Sequence, residues 1–249
     1  HSLFKSLLFF SAGLVYQQTH TRDMEKLGGL ISDMPQTALF FLVWGIAIGG
    51  LPPFNGFASE FLLYYAILLG IKSIGIAYIT LMVFSLAGLA LIGGISMLTF
   101  TKGFGTIFLG NPRTLLHQQD REGSLVMRLP QYFILIIMLS IGLFPQFYFS
   151  AAKGIVLNFV PAASGRNILI PPSLFHSLSS IGEFGVVFLL LIFLIFGLRN
   201  YFARKRRIAA GLTWGCGYVA PTARMQYTGK SFSKSLGKLL SFVVMEKPK

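Results

Sequence analysis

Two side chains carry a titratable group where apolar residues dominate. Lys5 lies in HSLFKSLLFFSAGLVY with His1 four residues ahead of it, and Glu60 lies in LPPFNGFASEFLLYYAILLG. Four residues of helix advance about 6 Å and return to the same face, so His1 and Lys5 form one polar stripe. A lysine at the centre of a bilayer costs about 2.5–3.5 kcal/mol on insertion scales, which makes such residues candidates for function. In a low-dielectric site the neutral forms of amines and imidazoles gain on the charged ones. A pair of this kind can hand a proton on through an intervening water. The structural alternative for Lys5 is snorkelling to an interface. Against it, eleven residues, mostly apolar, separate Lys5 from Gln17.

Glu60 follows Pro52, Pro53 and Gly56. Prolines and glycine leave backbone groups unpaired, and a membrane tolerates that only where protein or water satisfies them. Interrupted helices of this kind line ion and substrate sites in transporters. A partly desolvated carboxyl can be loaded and unloaded near neutral pH. Glu60 nevertheless lies only about 9 Å along a helix from Phe54, so a position facing headgroups is the structural alternative. Two further ionisable residues, His176 and Glu183, flank the last apolar run and read as interfacial.

These residues need a membrane frame, and composition supplies it. Of 249 residues 54% are hydrophobic and 12% charged, against about 25% charged in soluble domains. The fold class is therefore an all-α membrane protein, a polytopic bundle of about six helices. A spanning helix takes about 20 apolar residues; the candidates are 1–16, 36–51, 54–71, 74–100, 131–149 and 181–198. Residues 150–180 read as a loop with a short interfacial helix, and residues 229–245 as an amphipathic surface helix. Gly88, Gly93 and Gly94 suggest close helix contact. Trp44, Tyr64, Tyr65 and Tyr78 read as packing or interface aromatics. Two domains follow: 1–198 as the transmembrane part, and 199–249 as a basic tail. The helical pattern is already running at His1, so the expectation is the C-terminal part of a longer protein, truncated on its N-terminal side.

Charge sets orientation. The region 199–249 holds 11 of the 21 basic residues, which places it in the cytoplasm. Counting back, loop 101–130 is cytoplasmic too, and 17–35, 72–73 and 150–180 face the other way. The net charge of +13 then reflects an anionic inner leaflet, worth about 1 kcal/mol per basic residue. It does not require nucleic acid, for which no fold remains outside the membrane. Cys216 is the single cysteine, so an intramolecular disulfide is impossible. No phosphate loop, dinucleotide fingerprint, Ser/His/Asp set or His/Cys metal spacing is present. No cofactor or metal is expected in this chain.

HSLFKSLLFFSAG, THTRDMEKLGGL and LPPFNGFASEFLLY together resemble the antiporter-like membrane subunits of respiratory complex I and of sodium/proton antiporters. TWGCGYVAPTARMQYTGKSF is similar to the tail of the branch found in hydrogenase-4 and formate hydrogenlyase complexes. The resemblance implies the second of two inverted repeats, with a broken helix. It implies a proton relay in which Lys5 is central, His1 its neighbour and Glu60 terminal. The implied setting is a membrane-bound hydrogenase in a prokaryotic inner membrane. Iron–sulfur clusters and a nickel–iron site would lie in partner subunits, both membrane and peripheral. The alternatives are a quinone-reducing complex I, a multi-subunit antiporter moving Na+ or protons, or a structural membrane anchor.

Overall fold

The structure is a computed structural model that describes residues 1–71, 75–113, 122–159, 171–204, 222, 225–231 and 237. The tail residues 205–207, Cys216 and most of the expected amphipathic segment 229–245 lie outside the described residues. Among those described, every regular element is helical. The helices are α1 (Ser2–Thr19), α2 (Pro35–Ile48), α3 (Asn55–Ile71), α4 (Ile76–Phe108), α5 (Leu125–Leu143), α6 (Pro145–Phe159) and α7 (Pro172–Arg204). α4, α5 and α7 are long and apolar enough to cross a membrane. The chain divides into two units: His1, Ile46–Gly93 and Ile134–Ala209 in the first, and Ser2–Gly45, Gly94–Phe133 and Ala210–Lys249 in the second.

Prolines set several boundaries that the apolar runs conceal. The expected helix 131–149 is two helices, because Pro145 lacks an N–H and its fixed φ suits the first turn of a new helix. α6 then continues to Phe159, into the stretch 150–180 expected as a loop with a short interfacial helix. α7 begins at Pro172 rather than at 181. Its buried stripe, Leu174, Leu178, Gly182 and Gly185, has helical spacing that the intervening His176 and serines hide. Glu183 is thus the twelfth residue of α7, exposed and accepting from Ser179 Oγ at 3.1 Å. His176 is exposed as well.

In the second unit an aromatic cluster joins α2 to α4. Trp44 packs edge-on to Phe41 with centroids 5.0 Å apart and to Phe100 at 6.3 Å. Gly45 admits the Phe100 ring, since a Cβ there would lie 1.6 Å from it. Trp44 is therefore a packing residue. Among the described residues, a Cβ at Gly88, Gly93 or Gly94 would meet nothing within 4 Å. A glycine in an apolar helix permits a close neighbour without supplying one.

The same unit corrects the expected topology. Gly29 N donates to Leu109 O at 2.9 Å, and Ile31 N to Phe108 O at 3.0 Å. The connections after α1 and after α4 thus share one end, whereas 17–35 and 101–130 were expected on opposite sides. Length explains the difference. α2 has 14 residues and rises about 21 Å, short of a hydrocarbon core of about 30 Å. α4, with 33 residues, is long and apolar enough to cross by itself, whereas α2 is not. In a Cys216→Ala background, cysteines at Asp23 and Asn111 should react with a membrane-impermeant thiol reagent from the same side. Labelling from opposite sides would restore the arrangement expected from charge alone.

Candidate proton-relay site

The break after α2 is built from backbone. Leu51 N donates to Ile46 O at 3.1 Å and Gly50 N to Ala47 O at 3.2 Å, closing the end of α2. Gly50 sits at φ +64, and the Pro52–Pro53 bond is cis. Asn55 opens α3; its Oδ1 is buried and has no hydrogen-bond donor among the described residues. Two glycines lie directly on carbonyl oxygens of this segment. A Cβ on Gly56 would stand 1.7 Å from Ala47 O, and one on Gly142 of α5 1.8 Å from Pro53 O. Those are main-chain atoms that cannot rotate away, so only glycine fits. Gly142→Ala should therefore destabilise the folded protein by about 1–3 kcal/mol, the usual effect of overpacking. Thermal unfolding in detergent checks it, with Gly93→Ala as a variant expected to be silent.

Glu60 projects onto this break. Its side chain is half-buried, and a Cβ on Gly50 would lie 2.2 Å from its Oε2. The carboxyl thus rests on the Cα of the left-handed residue at which the chain turns. Beside the break an apolar cavity of about 380 Å³ lies between Pro52, Phe57 and the α7 residues Phe184 and Phe188. Its walls are hydrocarbon, so the polar side chains of the break are Glu60 and Asn55.

Lys5 belongs to the second unit. α1 buries Phe4, Leu7, Ser11, Leu14 and Val15, and Lys5 lies half-buried on the flank of that face. From Thr19, at the end of α1, Lys5 is about 21 Å down the axis. His1 stands just before α1 and is exposed.

Sequence reading missed two polar groupings in the second unit. The Ser11 hydroxyl stands 2.6 Å from Leu7 O and 3.1 Å from Gln131 Oε1, and both side chains are fully buried. Gln131 Nε2 in turn donates to Met127 O at 3.2 Å. Glu122 caps α2 from 85 residues away: Oε2 accepts from Gln36 N at 3.0 Å, and Oε1 from Thr37 N at 3.1 Å and the Thr37 hydroxyl. Gln36 Oε1 accepts from Tyr132 Oη at 2.6 Å and from Arg128. A carboxylate on the free N–H groups of a helix start is favourable. Only Gln131, polar within an apolar helix, gave a signal in the sequence.

Residues 1–87, which hold both Lys5 and Glu60, match the family described as NADH:quinone oxidoreductase/Mrp antiporter, transmembrane. Over that stretch the chain is similar to this antiporter-like membrane family. It is similar to hydrogenase-4 component B of Escherichia coli (strain K12), 31% identical over 88% of this chain and 33% of that protein. Formate hydrogenlyase subunit 3 of the same strain is 41% identical over 46% of the chain and 19% of its own length. Na(+)/H(+) antiporter subunit A1 of Staphylococcus haemolyticus (strain JCSC1435) is 30% identical over 72% and 22%. The chain spans about a third or less of each relative. Among the described residues no group of three or more His, Cys, Asp or Glu could hold a metal ion.

Proposed function

We propose that this chain is the proton-translocating part of a membrane subunit in a hydrogenase-type complex, with Lys5 a central relay, His1 its neighbour and Glu60 the terminal one. The observation that carries this reading is the Glu60 carboxyl resting on the backbone break between α2 and α3. Depth supports it. α3 and α4 are joined by a short connection, and a Cβ on Gly70 would lie 3.4 Å from Met82 Sδ. Ten residues back along each helix, about 15 Å, Glu60 is level with Ile92, the midpoint of α4. A headgroup-facing role does not fit that level.

Redox chemistry in this reading belongs to partner subunits carrying iron–sulfur clusters and a nickel–iron site. This chain supplies the proton steps. A charge arriving at one relay changes the proton affinity of the next, and each tenfold change in that affinity is worth about 1.36 kcal/mol. We place the end that joins both loops and residues 225–231 in the cytoplasm of a prokaryotic inner membrane. With loop 17–35 moved to that end, only Lys72, Lys153 and Arg166 remain in the opposite connections, which strengthens the charge asymmetry. Similarity to an antiporter subunit favours a second reading, sodium/proton exchange. Inside-out vesicles holding the full-length protein in its complex test both. Redox-driven proton uptake is expected without sodium. Uptake that requires sodium favours the second reading, and uptake unchanged by replacing Lys5 and Glu60 together leaves only an anchor.

A further inference from the structure

The tail segment 225–231 makes a set of contacts that the relay does not use. Gln226 pairs with the main chain of Asn111 as a strand neighbour would: Oε1 accepts from Asn111 N at 2.7 Å, and Nε2 donates to Asn111 O at 2.9 Å. Gly110, at φ +79, makes room, since a Cβ there would lie 2.1 Å from Gln226 Oε1. Arg113 bridges two segments, with Nη1 donating to Leu27 O at 2.7 Å and Nη2 to Tyr227 O at 2.8 Å. Glu25 Oε1 accepts from Lys230 N at 2.8 Å.

We infer that 225–231 is a clasp, and that Arg113 and Gln226 are positioning residues for the relay. The clasp ties down loop 20–34, which joins the helix bearing Lys5 to α2, ahead of the break onto which Glu60 projects. Without the tail, the main-chain bonds of Gly29–Ile31 and one arm of Arg113 still hold that loop to the α4 end. With it, three separate stretches of sequence are fixed together through one guanidinium, one amide and one carboxylate. The bonds run to main-chain atoms, so they set position rather than side-chain packing. The closed clasp is the working state. This inference rests on the relay reading for its effect on proton movement, but not for the clasp itself.

The test uses the full-length protein in its complex and two readouts. The first is amide exchange, which needs no transport: Gln226 protects the Asn111 amide and Glu25 the Lys230 amide. Arg113→Lys keeps the charge but a single ammonium cannot reach both carbonyls in the fixed fork geometry. It should speed exchange at Asn111 and Lys230 by about tenfold, although Arg113 touches neither amide, because the clasp opens as a unit. Gln226→Ala should do the same at Lys230. The second readout is protons taken up per redox turnover, expected to fall several-fold in both variants while redox turnover persists. Exchange confined to the altered contact overturns the clasp. Faster exchange at both amides with unchanged proton uptake overturns the positioning role and leaves the clasp. If the Lys5 and Glu60 variants also leave uptake unchanged, it is the relay reading that has failed.

Discussion

Lys5→Met in the full-length protein should abolish redox-driven proton uptake while the complex still assembles. Methionine has nearly the same length and no proton to give, so packing on the flank of α1 survives and the relay does not. General acid–base groups contribute about 10²–10⁴-fold to the steps they serve, so uptake should fall at least tenfold, to the background of the vesicles. Assembly, followed by native gel, should be unchanged or improved, because an apolar side chain replaces a cation inside an apolar helix. A lysine that only snorkels gives the reverse pattern, with uptake preserved.

Glu60 carries the second large effect. The carboxyl rests on Gly50 Cα at the turn of the break, and glutamine reproduces that shape without the titratable group. Glu60→Gln should therefore reduce proton uptake to background. Glu60→Asp keeps the acid with a reach shorter by one methylene, and misplacement on the 1 Å scale can cost up to about 10²-fold, so a small but measurable rate should survive. A packing role predicts the opposite order, with glutamine tolerated and aspartate poor. Comparing initial uptake rates of the two variants in the same vesicle preparation separates the two roles.

The break was legible because Pro52, Pro53 and Gly56 announce it locally, and Glu60 stands one turn beyond. α2 looks like a complete span in the sequence, and only the bonds of Gly29–Ile31 to Ile107–Leu109 show that the connections after α1 and after α4 share one end. Lys5 was legible as a cation in an apolar run. The Glu122 cap was not, because its partners, Gln36 and Thr37, lie 85 residues away or more, and nothing local distinguishes it from other loop acids. Gln226 and Arg113 were visible only as residues of polar connecting segments, since their partners are main-chain atoms and main-chain atoms leave no trace in sequence. Gly56 and Gly142 are required by carbonyl oxygens that would stand 1.7 and 1.8 Å from a Cβ, while Gly88, Gly93 and Gly94 look the same in sequence and meet nothing within 4 Å among the described residues.

The most direct test of the relay is Lys5→Arg. Arginine keeps the positive charge, the length and the hydrogen-bonding capacity, but it does not give up its proton in a protein. A structural cation, whether snorkelling or pairing with a neighbour, tolerates that exchange. A titrating one does not. Redox-driven proton uptake by inside-out vesicles carrying the assembled Lys5→Arg complex should be absent while electron transfer continues. Uptake near the wild-type rate would contradict the account.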